Sequence, residues 1–450
     1  MSGPATDAAA THPAAPHPAT TDAAATGAAA DARAAAARAA ARPAPTSARD
    51  RRPATALLGA YAVSVIGTRL SMIALPLFVL ATTGSATRTG LVAMAETAPY
   101  AVSQALTGPI TDRVGPRRMS ILSDVASAVV VGAVPLLHVL GRLSFGVLLV
   151  LVAFAGLTRG PGDAAKYVSL PGVAEAAGTP VERVMGLEDG IGRFASVVGP
   201  LGAAALVGVL GAPAALALDA ATFAVAAVVV AVGVPRRLAG PQQHDPDEGS
   251  YLRRLREGAA VVRRDGLLRA IVGMVAVTNL LDAALSGVLL AVWARQQGGG
   301  AGLMGVVAAA MGAGAVIGAG TAAVVGHRLP RRLTFTVAFF LIGAPRFAVL
   351  GLGAPLWLVA VVVFVGGLGA GTINPILGAV EIERIPERAR ARVLSLITSL
   401  AYALIPFGGL LGGLLSDSAG VSVALLVCGF VYLVATTVPA LRPEWREMDR

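Results

Sequence analysis

From Leu57 onward the chain alternates long apolar runs with short connections rich in arginine. An α-helix rises 1.5 Å per residue, so a run of about 20 residues crosses a hydrocarbon core of about 30 Å. Twelve spans are predicted: 57–81, 90–110, 119–140, 144–165, 187–210, 213–233, 267–292, 302–325, 333–352, 356–378, 393–415 and 420–440. Gly, Pro and charges interrupt the fourth and fifth. In lipid every backbone polar group must be satisfied inside its own segment, so the pattern predicts an all-α integral membrane protein.

The connections divide the chain. Residues 1–53 hold no large aliphatic side chain between Met1 and Leu57 and read as a disordered Ala/Pro-rich cytoplasmic tail. Residues 54–234 carry six spans and 266–441 the other six. Between them, 235–265 form a linker in which Tyr251–Arg264 reads as an amphipathic helix on the membrane surface, with Leu252, Leu255, Ala259 and Val262 on one face. Residues 442–450 read as a cytoplasmic tail. An internal repeat supports two pseudo-symmetric halves: Pro116, Arg117 and Arg118, after span two, recur 214 residues later as Pro330, Arg331 and Arg332, after span eight.

Composition agrees. Apolar residues make up 55% and charged residues only 14% of the 450 positions, against about 25% charged in soluble proteins, too few to cover a water-facing surface. One cysteine, Cys428, excludes an internal disulfide, and five scattered His give no metal-ligand spacing; no metal and no cofactor is expected. The net charge of +10 is a topology signal, not a nucleic-acid footprint. With the N-terminus inside, 26 Arg and Lys fall on the cytoplasmic side, Lys166 and Arg183 among them, and only Arg88, Arg142 and Arg295 on the other.

Between spans two and three stands Gly108-x-x-x-Asp112-Arg113-x-Gly115-x-Arg117-Arg118. Gly108 and Gly115 permit close backbone approach, and Asp112 among arginines makes a latch that can break and re-form. The second copy has Gly326 in place of the acid, so the latch is expected on one side only. Together with the helix count, loop charge and linker, over about residues 54–440, this string resembles motif A of the major facilitator superfamily. Gly186, Gly199 and Pro200 match that superfamily's antiporter signature in span five, where Ala195, Ala203 and Ala204 replace three of its glycines. Such small residues permit close helix packing. Further strings, Gly67-Thr-Arg69 through Pro76 and Leu218-Asp219-Ala-Ala-Thr222-Phe223, look like the actinobacterial branch related to macrolide and enterobactin exporters.

An ionisable residue inside the bilayer costs about 2.5–3.5 kcal/mol on insertion scales, so each one in a span is a functional candidate. Asp124, Arg159, Asp163 and Arg193 lie near predicted cytoplasmic ends and form an expected inner charge network with Asp112 and Arg113. Arg69, Glu96, Asn279 and Asp282 lie deeper and are the expected proton and substrate cavity, with Asp282 carrying the proton beside Arg69 and Glu96 in reserve. The resemblance implies alternating access by a secondary transporter of the cell membrane, both termini cytoplasmic. The expected activity is proton-coupled export of small amphipathic molecules, by a monomer whose partners are the bilayer, the substrate and protons. A proton-coupled uptake symporter and a non-transporting membrane receptor or scaffold are the alternatives. No G-x-x-x-x-G-K-[ST] loop or H-E-x-x-H helix marks an enzyme.

Overall fold

The computed structural model describes residues 50–236, 262–325, 330–385 and 390–449. The tail through Arg49, Tyr251–Val261 of the expected surface helix, and Gly326 of the second motif copy lie outside the described residues. In the first half, α1 is Arg52–Thr83, α2 Ala86–Val114, α3 Pro116–Val139, α4 Phe145–Ala176, α5 Val181–Leu210 and α6 Ala212–Gly233. In the second, α7 is Gly266–Gln296, α8 Gly300–Val325, α10 Leu356–Arg384 and α12 Val421–Ala440. Two helices are broken: α9 into Arg331–Ile342 and Ala344–Gly351, and α11 into Arg390–Tyr402 and Ile405–Ala419. Eleven are long and apolar enough to cross a membrane. The other, α2, has 29 residues and carries Arg88, Glu96, Tyr100 and Gln104 along its length.

Local chemistry sets the ends. Ser85 and Ser144 accept hydrogen bonds from the amides of Arg88 and Val147 at the starts of α2 and α4. Gly115 turns the chain between α2 and α3 at φ +87°, a conformation L side chains rarely adopt, and Pro116 opens α3. That backbone demand accounts for the glycine. The break in α9 falls at Gly343, against the Tyr432 ring, and that in α11 falls just before Pro406. Large apolar side chains such as Val139, Val209, Val232 and Phe430 are exposed on the outside, as a lipid-facing surface requires.

Two differences from expectation stand out. Helix α4 runs 32 residues and does not stop near Ala165, so Lys166 belongs to its buried face and not to a loop. The chain end, expected as a tail, forms a 3-10 helix, Pro443–Asp449, with Trp445 and Met448 buried and the Trp445 ring 5.6 Å from that of Phe335. Two apolar side chains three residues apart share one face of such a helix, which docks it.

The halves meet along α2–α11 and α5–α8. Gly90 lies on the Gly409 backbone, Gly413 on Ala86, and Gly305 on Pro200 and Ala204. These contacts gather at the end opposite Arg113, Arg117 and Arg118. There Asp417 of α11 accepts from Ser85 Oγ (2.8 Å) and from the amides of Ala86 (3.0 Å) and Thr87 (2.8 Å), which caps α2 across the halves. Arg295 of α7 donates to the Leu80 carbonyl near the end of α1. At the arginine-rich end no comparable seam joins α4 to α10 or to the first piece of α11 among the described residues.

Candidate functional site

Three adjoining cavities follow the axis of the bundle. One of about 370 Å³ lies between α1, α2, α4, α7 and α11 and is walled by Glu96, Tyr100, Arg159, Asp163 and Ser286. A second, about 560 Å³, shares Tyr100 and Asp163 with it and adds Tyr61, Tyr167 and Glu188. The third, about 820 Å³, extends between α5, α8 and α10 past Arg69, Asp189, Arg193 and Asn374.

The wall of the first cavity holds the densest charge cluster. Arg159 Nη1 lies 2.9 Å from Glu96 Oε1, and its Nη2 lies 3.8 Å from Asp219 Oδ2. The guanidinium faces the Phe223 ring at 5.3 Å. Asp163 accepts from Tyr100 Oη at 3.3 Å, and Tyr100 in turn accepts from Gln104 Nε2 at 2.8 Å. One turn further along α4, Lys166 Nζ is 2.7 Å from Asp124 Oδ1 with both side chains 3% exposed, and 3.5 Å from Ser64 Oγ. Four carboxylates thus stand around two cations, and Asp163 alone of the four has no cation within 4 Å among the described residues.

The expected inner network is therefore redrawn. Arg159 and Asp163 sit about 26 Å and about 20 Å from the arginine-rich end of α4, because the helix continues far beyond its predicted end. Arg193 takes no part: it pairs with Asp189 one turn away, both 61% exposed, on the third cavity. Gly108 and Asp112 fall in the last two turns of α2, and the Asp112 side chain lies outside the described residues. Arg113 and Arg118 are exposed. Arg117 donates to the carbonyls of Ala231 and Val234 at the end of α6, as Arg332 does to that of Ala440 at the end of α12. The repeated arginines thus cap equivalent helix ends in both halves.

The deep set also separates. Asp282 pairs with Arg346 of α9, not with Arg69, and the Arg346 guanidinium stacks on Phe347 and Tyr432. Asp282 lines none of the three cavities. Asn279 donates to the Ala401 carbonyl (2.9 Å), left free by the break in α11, which makes it a structural cap. Arg69 donates to Ser196 Oγ at 2.7 Å and lines both larger cavities. Gly199 makes room for it, since a methyl group there would meet Arg69 Cβ and Cγ at 2.9 Å. The Pro200 carbonyl packs toward Gly305, whereas a side chain at Gly186 would meet nothing, so that glycine serves no close packing. Sequence reasoning missed the roles of Lys166, Asp219 and Arg346. All three were visible as charges in or beside apolar runs, but their partners come from other helices.

A profile of the Major Facilitator Superfamily matches residues 57–285 and 272–444. The multidrug efflux pump Tap of Mycobacterium tuberculosis (strain ATCC 25618 / H37Rv) is 30% identical over 405 residues, which cover 89% of this chain and 96% of Tap. Macrolide efflux protein A of Streptococcus pyogenes is 23% identical over 394 residues, 86% of this chain and 95% of that protein. In fold, the crystal structure of the D323A mutant of nucleoside transporter NupG is similar at a TM-score of 0.68 and 12% identity, covering 89% of this chain and all of that one. Twelve helices around an axial cavity, a charged cluster in its wall and a match along nearly the whole membrane region make this chain a member of the major facilitator superfamily of membrane transporters.

Proposed function

We propose that this transporter is a proton-coupled exporter of small amphipathic molecules that carry a basic amine. The observation that carries the reading is the Glu96–Arg159 pair in the wall of the first cavity. A carboxylate that faces the cavity and shares its cation with a second carboxylate can take and give a proton without leaving the cation bare. Glu96 therefore replaces Asp282 as the proton carrier. Asp163 has no cation within 4 Å among the described residues, and three tyrosines, Tyr61, Tyr100 and Tyr167, line the cavity beside it. Carboxylate and aromatic faces together suit an organic cation. The excess of basic residues on one side supports cytoplasmic termini in the cell membrane, and the seam at the other end then supports a state closed to the outside. The drug-exporting relatives favour export over uptake.

Inside-out membrane vesicles energised by a proton gradient test this. Uptake of hydrophobic amines from a compound panel is expected, is abolished when the gradient is collapsed, and is lost in Glu96→Gln. Entry of protons together with substrate in right-side-out vesicles is the outcome of an uptake symporter and would refute export.

A further inference from the structure

The carboxyl group of Asp219, on α6, is completely buried. Its carboxylate accepts from Ser71 Oγ of α1, while Thr222 Oγ1 of its own helix donates to the Asp219 backbone carbonyl at 2.7 Å and stands 3.4 Å from the carboxylate. Gly67 of α1 lies directly over it, and a side chain at that glycine would overlap Asp219 and Thr222. The group lines none of the three cavities, yet its Oδ2 lies 3.8 Å from Nη2 of the guanidinium whose Nη1 meets Glu96. Arg159 is thus a cation between one carboxylate that lines a cavity and one that lines none.

We infer that Asp219 is a positioning residue, the permanent counter-ion that keeps Arg159 charged and in place while Glu96 takes and releases the transported proton. The inference rests on the reading of Glu96 as proton carrier. When Glu96 is neutral, a guanidinium with no other partner would stand uncompensated in a membrane interior; Asp219 removes that cost, so protonation of Glu96 becomes accessible. The two acids stand apart in access, because Glu96 lines the first cavity and Asp219 lines none of the three. The other charged or titratable groups around Arg159 are Tyr100 of α2, Asp163 and Lys166 of α4, and Asp124 of α3, where Lys166 is taken by Asp124. The α7 and α11 residues that line the facing wall, Ala283, Ser286, Gly287, Ile405, Pro406 and Gly409, carry no charge.

Infrared difference spectroscopy of the full chain in lipid, on acidification and without substrate, tests the assignment. Wild type is expected to gain a protonated-carboxyl band that Glu96→Gln removes. Loss of that band in Asp219→Asn, with return in Asp219→Glu, supports the inference. A band of wild-type position and intensity in Asp219→Asn overturns it, while a band that survives Glu96→Gln overturns the proton-carrier reading instead. Where Asp219→Asn does not insert, Ser71→Ala decides: an unmoved band supports Asp219 as a fixed charge, and a shifted band shows Asp219 itself taking the proton and refutes the inference.

Discussion

At the scale of single residues, burial and pairing separate charges that hold the protein together from charges that can work. Lys166 and Asp124 face one another with almost no exposure, and Lys166 also stands 3.5 Å from Ser64 Oγ, so the pair is part of the packed interior. Removing one partner of a buried pair costs about 3–5 kcal/mol, whereas replacing both by apolar groups is often neutral. Asp124→Asn is expected to lower the melting temperature of the detergent-purified protein, and Asp124→Leu combined with Lys166→Met to recover most of the loss. A single variant as stable as wild type would contradict the pairing. Asp163, one turn after Arg159 on α4 and hydrogen-bonded to Tyr100 with no cation within 4 Å among the described residues, is of the other kind.

At the scale of elements, helix ends do most of the fastening between parts. Asp417 caps α2 from α11, across the seam that closes one end of the cavities. In a Cys428→Ser background, Ser286→Cys places a thiol in the first cavity. Asp417→Ala is expected to speed its labelling by an impermeant maleimide added outside the cell by about fivefold, a modest effect because the cap is solvent-exposed. An unchanged rate would remove the cap from the gate. A second fastening lies beyond the membrane. Asp265 caps α7 through the amides of Leu267 and Leu268 and accepts from Arg384 (2.9 Å), whose other arm holds Glu447 of the terminal 3-10 helix (2.8 Å). Burial alone would push the Asp265 carboxyl up, but the hydrogen bonds from Leu268 and Arg384, with the Arg384 charge, hold it below the usual carboxylate range. A depressed value in the folded state contributes stability in full above the ordinary Asp range and loses it only as pH falls through the depressed value. Hydrogen exchange over Pro443–Asp449 is therefore expected to stay slow into mild acid and to quicken below it, and to be fast at neutral pH in Asp265→Asn.

At the scale of the whole molecule, a seam at one end and the lack of a comparable one at the other among the described residues describe a transporter closed on one side of the membrane. We propose, from the partition of arginines, that the closed side is the outer one. A reporter active only outside the cytosol, fused after Arg450, is expected to stay silent, and a strong signal would invert the assignment. With that orientation the tyrosine-lined cavity lies toward the cytoplasm, where an exporter collects its substrate, and the Arg117 and Arg332 caps stand at equivalent places in the two halves.

What the sequence determined by itself is what depends on local composition: helices long enough for a bilayer, the two halves suggested by a repeated Pro-Arg-Arg, and the acids and bases stranded in apolar runs. Its span ends failed where a charge was taken as a boundary, because a charge with a partner on a neighbouring helix is stable within the membrane; Lys166 in α4 is the clearest case. Which charge meets which was decided only in the tertiary structure. Arg69 and Asp282 have the right depth for one another, yet α9 brings Arg346 to Asp282 and α5 brings Ser196 to Arg69. Glu96, Arg159 and Asp219 come from three helices, 63 and 60 positions apart in the chain, and a salt bridge depends on distance in space, which helix packing alone provides.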